Sequence, residues 1–198
     1  IAMLLDIRGI TSDEEIHDFL YNDSELSDPF DAKDMEKAAD RIKQAIEDYE
    51  KICIYGDFDA DGVTSTALLY SYLEDVGANV MFYIPAREGE GYGMNKDAID
   101  LLKAQDVKLI VTVDNGIAAV DEIAYANSLD IDTVVTDHHM PNSILPDAVA
   151  IVDLHQEDCK SSFKELSGVG VALKLVMAIE GEYCDSQQVL ENYSDLAC

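Results

Sequence analysis

Basic residues are scarce in this sequence. Thirteen Lys and Arg stand against forty-one Asp and Glu in 198 residues, a formal net charge of −28. A surface of that sign repels polyanions, which excludes holding nucleic acid by phosphate neutralisation alone. Chemistry on phosphates would therefore require a bound cation that reverses the field locally. Cysteine is equally sparse. Cys53, Cys159, Cys184 and Cys198 are scattered, with no Cys-x-x-Cys pair. That spacing argues against a zinc knuckle or a disulfide framework, and for a reducing, cytoplasmic compartment. No apolar run approaches the roughly 18 residues that a membrane-spanning helix needs. No linker rich in Pro, Gly or Ser, no repeat and no low-complexity run interrupts the chain. What remains is an ordinary globular balance, 48% hydrophobic and 27% charged, with enough chain to bury a core.

The chain begins at Ile1 without Met or a basic-then-apolar leader, and stops inside an apparent segment at Asp195-Leu196-Ala197-Cys198. It is expected to be a trimmed piece of a longer protein, without a signal peptide. Residues 1–50 read as a helical extension. Ser12 and Glu15 have capping-box spacing and open a short helix through Leu20. Asn22 to Pro29 reads as a polar turn. A longer helix then starts at Asp31, with Met35, Ala38, Ala39, Ile42, Ala45 and Ile46 at helical spacing. From Lys51 the pattern alternates. Strand-like runs at Ile52–Tyr55, Val80–Ile84, Leu109–Val113, Thr133–Val135 and Val149–Val152 are separated mostly by helical stretches at Ser65–Val76, Asn95–Gln105 and Ala118–Ser128. An irregular segment leads to a last helix, Val169–Ile179. The expected architecture is α/β: a mostly parallel sheet of about five strands with helices on both faces. Residues 51–198 form its one domain.

In open parallel sheets the working site lies at the carboxyl ends of the strands. Here the first strand runs into Asp57-Phe58-Asp59-Ala60-Asp61-Gly62, the third into Asp114-Asn115-Gly116 and the fourth into Asp137-His138-His139. Neighbouring strands lie about 4.8 Å apart, so these ends can converge. Carboxylates and imidazoles crowded together repel one another without cations, and oxygen ligands with one or two imidazoles suit Mn²⁺ or Mg²⁺ better than zinc. Two other readings fit part of the pattern. Asp-x-Asp-x-Asp-Gly also opens an EF-hand loop, but the twelfth position from Asp57 is Leu68, not Glu. An aspartyl-phosphate phosphatase also places Asp-x-Asp after an apolar strand. Such enzymes usually carry Thr or Val where Ala60 stands, and their later Asp-Asp pair is absent. Asp114-Asn115-Gly116 alone is an ordinary turn, and either histidine alone could be a core or capping imidazole. The conjunction of three clusters is the signal.

With these residues in place, the chain resembles the DHH phosphoesterase superfamily, and within it the bacterial single-strand-specific exonucleases. Asp137-His138-His139 spells the family name, and Gly56 to Ser65 and Val113 to Ile117 are similar to its first two motifs. Arg8-Gly9-Ile10, Arg87 to Met94 and Leu166 to Ala172 resemble segments of the exonuclease branch. The resemblance implies hydrolysis of phosphodiester bonds with two Mn²⁺ or Mg²⁺ ions, releasing 5′ mononucleotides from single-stranded DNA in the 5′→3′ direction. It implies roles in DNA repair and recombination, with repair or replication proteins as further partners. Carried over by position, Asp57, Asp59, Asp61, Asp114 and His138 would hold metal, while His139 would face the scissile phosphate. Asp61, Asp114, His138 and His139 would be catalytic; Arg87, Tyr92 and Gly168 would contact substrate. The alternatives within the fold are a phosphodiesterase for short oligonucleotides or cyclic dinucleotides, and a catalytically inert binding scaffold. The family usually adds a further metal-binding Asp in a Gly-Thr-x-Ala-Asp stretch beyond this sequence. Asp195 is not counted as a ligand, and the isolated chain is expected to bind manganese incompletely and to show little nuclease activity.

Overall fold

The computed structural model describes residues 2–21, 26–87, 89, 91–181 and 184–197. Five parallel strands form one sheet: β1 (Lys51–Tyr55), β2 (Val80–Tyr83), β3 (Val107–Val113), β4 (Asp132–Thr136) and β5 (Ala150–Val152), in the order β2-β1-β3-β4-β5. Helices α1 (Ala2–Ile7), α2 (Asp13–Tyr21) and α3 (Met35–Glu47) precede the sheet. Between strands lie α4 (Ala60–Asp75), α5 (Lys96–Ala104) and α6 (Val120–Ser128), and α7 (Gly168–Glu180) and α8 (Ser186–Ala197) follow. The expected α/β architecture is present, with helices on both faces.

The two-residue period of a strand divides the core. Ile52, Ile54, Leu109, Val111 and Val113 pack with α3, α4 and α7 on one face, whereas Cys53, Tyr55 and Ile110 pack with α5 and α6 on the other. The register slips between Lys51 and Ile52 against β3, so Val107 joins Ile110 rather than Leu109. The chain moves outward from β1 to β2 through α4, then reverses across β1 to β3 through α5. Right-handed crossovers put helices on opposite faces when that direction reverses. The reversal point, between β1 and β3, leaves a crevice at the strand carboxyl ends.

Two helix starts differ from the sequence expectation by several residues. The helix expected from Asp31 begins at Met35; Pro29–Asp31 forms a separate 3₁₀ turn, capped by Asp28 accepting the Phe30 N–H at 2.9 Å. Asp34, at φ 58°, separates the two. α4 starts at Ala60, five residues before the expected Ser65, because Asp59 caps it by accepting the Gly62 N–H at 3.0 Å. A Cβ on Gly62 would lie 2.5 Å from the Asp57 carbonyl oxygen, so only glycine lets the helix start this close to the strand. Ser12 and Glu15 make the expected reciprocal cap, with N–H to Oγ at 3.2 Å and N–H to Oε2 at 3.0 Å. In the expected turn at 22–29, residues 22–25 lie outside the described residues.

Candidate metal centre

Each acidic motif sits where its strand stops. Asp57 follows the end of β1, Asp59 caps α4 and Asp61 occupies its first turn. Asp114 follows β3 with φ 60°, and Asp137 follows β4. Asn115 ties the ends of β1 and β3 together at this level, donating to the Tyr55 carbonyl at 3.1 Å and the Val113 carbonyl at 2.9 Å. The result brings residues from all three motifs into contact. His138 Nε2 lies 3.0 Å from Asp114 Oδ1 and 3.5 Å from Asp61 Oδ2. One ligand atom each from Asp114, His138 and His139 falls within a mutual 4.8 Å.

The electrostatics of the cluster favour a cation. Asp114 is 2% exposed, and its buried Oδ1 contacts His138 Nε2 but accepts no hydrogen bond. Burial first, and then the charges of Asp61 and Asp59, push its carboxyl up to about 8. Asp57 is also pushed up by burial, opposed by the N–H of Phe58, while Asp59 adds to the rise. Several carboxylates thus share a space in which their charge is costly, and the Asp114 oxygen that faces His138 Nε2 accepts no hydrogen bond. This donor set of carboxylates with imidazole fits a hard divalent cation.

Asp137 plays a different part. Its Oδ1 accepts the N–H groups of His138 at 2.8 Å and His139 at 3.2 Å and contacts His139 Nδ1 at 2.7 Å, while Oδ2 accepts the Ile117 N–H at 2.9 Å. A buried carboxylate can only accept here, so the His139 proton sits on Nδ1 and leaves Nε2 toward the cleft. Burial lowers the His139 pKa, but the bond and charge of Asp137 outweigh it and raise the value overall.

Beyond the carboxylates opens a cleft of about 690 Å³ that Asp57, Asp114, Asp137, His139, Tyr92 and Met140 help to line. Tyr92 is 73% exposed and packs against Phe58 in a tilted ring contact, with centroids 4.4 Å apart. The Arg87 guanidinium lies over the same Phe58 ring at 5.6 Å. Arg87 and Tyr92 therefore share one platform beside the cluster. Gly168 differs from its sequence expectation. Its N–H is not turned to an open phosphate site but donates to Asp61 Oδ2 at 2.7 Å.

Residues 51–198 match the family described as "DHH family, N-terminal domain". The chain belongs to the DHH family. Within it, the single-stranded-DNA-specific exonuclease RecJ of Bacillus subtilis (strain 168) is 51% identical over 186 residues, 93% of this chain and 24% of that protein. A crystal structure of exonuclease RecJ bound to manganese superposes with a TM-score of 0.75 at 32% identity, covering 84% of this chain and 42% of that one. RecJ from Thermus thermophilus in complex with Mn²⁺ gives a TM-score of 0.73 at 28% identity, over 98% of this chain and 26% of that one. The chain spans about a quarter of the length of the curated relatives it matches.

Sequence reasoning missed two residues beside this DHH site. Phe58 carries both Arg87 and Tyr92, and as an apolar letter inside an acidic motif it gave no sign of that. Asp153 follows β5, and the pairing of Thr136 with Val152 sets it beside Asp137. It is fully buried, with Oδ2 lacking a partner, and burial pushes its pKa up against the opposing His155 N–H. An Asp ending an apolar strand was the signal, the same one that marked the other three ends.

Proposed function

We propose that this chain is the catalytic core of a single-stranded-DNA exonuclease that hydrolyses phosphodiester bonds with two divalent cations, Mn²⁺ or Mg²⁺. The observation that carries the reading is the meeting of Asp61, Asp114 and His138 from three strand ends, with His138 Nε2 3.0 and 3.5 Å from the two carboxylates. The relatives named for this activity, and the manganese in two of the solved structures, support it. The 5′→3′ direction rests on the family resemblance alone. Repair and recombination, with repair or replication proteins as partners, are the setting we assign. A cytoplasmic location accords with Cys53, Cys159 and Cys184 all being free thiols.

Asp57, Asp59, Asp61, Asp114 and His138 would hold the cations. When bound, such ions polarise a phosphoryl oxygen and make a water nucleophilic near neutral pH. The chain's own side chains do the rest. His139, held at Nδ1 by Asp137, faces the scissile phosphate with Nε2. Tyr92 offers a stacking face for a base and Arg87 a charge for the backbone, both seated on Phe58. The carboxylates between them repel any phosphate until cations are in place, which makes substrate binding conditional on metal.

The test uses the full-length protein with labelled single-stranded DNA, duplex DNA and a dinucleotide, each with Mn²⁺ or with EDTA. Degradation of the single strand with Mn²⁺ and none with EDTA is expected. Turnover of the dinucleotide alone would assign the oligonucleotide phosphodiesterase instead, and a chain that binds no divalent ion would be the inert scaffold. Tyr92→Ala is expected to raise KM for single-stranded DNA by about tenfold with kcat nearly unchanged, since one stacked base is worth roughly 1–3 kcal/mol.

A further inference from the structure

The first turn of α7 touches two carboxylates of the cluster at once, and it does so through one residue. Asp61 lays both oxygens against the helix N-terminus, with Gly168 N–H to Oδ2 at 2.7 Å and Val169 N–H to Oδ1 at 2.8 Å. These are charge-assisted bonds to a helix end whose dipole favours an anion. On its other side Gly168 meets Asp114. A Cβ there would fall 2.7 Å from both Asp114 Cβ and Asp114 Oδ1. Asp114 Cβ is close to its own backbone, at the end of a buried strand, and has little room to give. The absence of a side chain on Gly168 is therefore what lets α7 approach far enough to bond Asp61.

We infer that Gly168 is a positioning residue for the cation cluster. Its N–H holds Asp61 and its bare Cα admits Asp114, so the seating of α7 sets the spacing between a carboxylate from α4 and one from the end of β3. Neither carboxylate is near α7 in sequence, and at no other described glycine are Asp114 atoms the nearest that a Cβ would meet. The inference rests on the cation reading above and extends it to a residue that touches neither substrate nor metal. Gly170 supplies an internal control. It lies in the same helical turn, but a Cβ there would meet only Leu166, at 3.2 Å or more. On helix propensity alone, alanine at either position would be neutral or favourable.

The experiment titrates Mn²⁺ into the wild-type chain, Gly168→Ala and Gly170→Ala, followed by paramagnetic resonance, and records metal-free melting of the same proteins. Gly168→Ala is expected to weaken Mn²⁺ binding by about tenfold or more, the size of effect seen when a residue orienting a ligand is lost. Gly170→Ala is expected to bind as wild type does. The second arm is a cycle with Asp114→Gly in EDTA: the fall in melting temperature caused by Gly168→Ala should largely vanish once the Asp114 Cβ and carboxylate are both gone. This arm reads the crowding itself and needs no metal. If the wild-type chain binds no Mn²⁺, the cation reading fails and this inference fails with it. If the wild-type chain binds and Gly168→Ala binds equally well, only this inference fails; an unchanged melting penalty in the Asp114→Gly background would refute it as well.

Discussion

Asp114→Asn is expected to weaken Mn²⁺ binding severely and, in the same molecule, to raise the melting temperature of the metal-free chain. The two effects have one cause. Asp114 is buried beside Asp61 and Asp59, with an oxygen that no hydrogen bond satisfies. A buried carboxylate crowded by like charges, with an oxygen that accepts no hydrogen bond, is costly. Its carboxyl stands at about 8 in the folded chain against an ordinary 3.8. A group raised in this way contributes stability in its protonated form below 3.8, and that contribution is lost as pH rises toward about 8. Asparagine carries no charge to suppress, so its advantage should be small near pH 4 and largest above pH 8. A gain of about 4 °C at alkaline pH in EDTA corresponds to about 1–2 kcal/mol for a domain of this size. Function moves the other way. Mn²⁺ affinity should fall by about two orders of magnitude, and nuclease turnover of the full-length protein by about a thousandfold. Added Mn²⁺ should stabilise wild type but not the variant, by mass action on the folded state. Melting curves with EDTA and Mn²⁺ across pH 5 to 9 check all of this. A variant that is less stable than wild type without metal at high pH would overturn this account of Asp114.

Asp137→Ala is expected to be the most destabilising single change at the site, costing about 4 kcal/mol. One side chain satisfies three backbone N–H groups, those of Ile117, His138 and His139, and orients the His139 ring as well. Its removal leaves buried donors without acceptors and disconnects the loop after β3 from the loop after β4. The loss should depend on pH. His139 has its pKa raised above 6.5 by Asp137, so its contribution is complete below 6.5 and disappears as pH climbs through the folded value. Relief of repulsion on Asp57, Asp114 and Asp153, each pushed up partly by Asp137, acts in the same direction. The deficit is therefore expected to be larger at pH 6 than at pH 9. Asp137→Asn, which keeps an accepting oxygen, should recover much of the stability but not the raised His139 pKa. Denaturant unfolding gives the first quantity and histidine proton NMR titration the second. Equal deficits at both pH values would count against the assigned role.

Asp137 shows where sequence reading stops. As a letter before two histidines it reads equally well as a turn cap or as the support of an imidazole. Only the fold shows that it is both, because one of its acceptor bonds comes from Ile117, twenty residues away. The helix starts failed for a related reason. Asp57 to Gly62 looks like a loop of acids, and only the Asp59 cap and the close approach at Gly62 reveal that Asp61 already lies in α4. Gly168 looks like an anion-binding helix start until Asp61, 107 residues earlier, is found occupying it.

Local chemistry was enough to determine the alternation of strand and helix, the two-faced core and the three polar clusters. Strand periodicity, apolar content and abrupt acidic endings are all properties of neighbouring residues. The tertiary structure alone decided which acids touch, which oxygen accepts no hydrogen bond, and which N–H groups are already taken. Those facts depend on strand order and on how near α7 can come to Asp114, and both are set by packing between segments far apart in the chain.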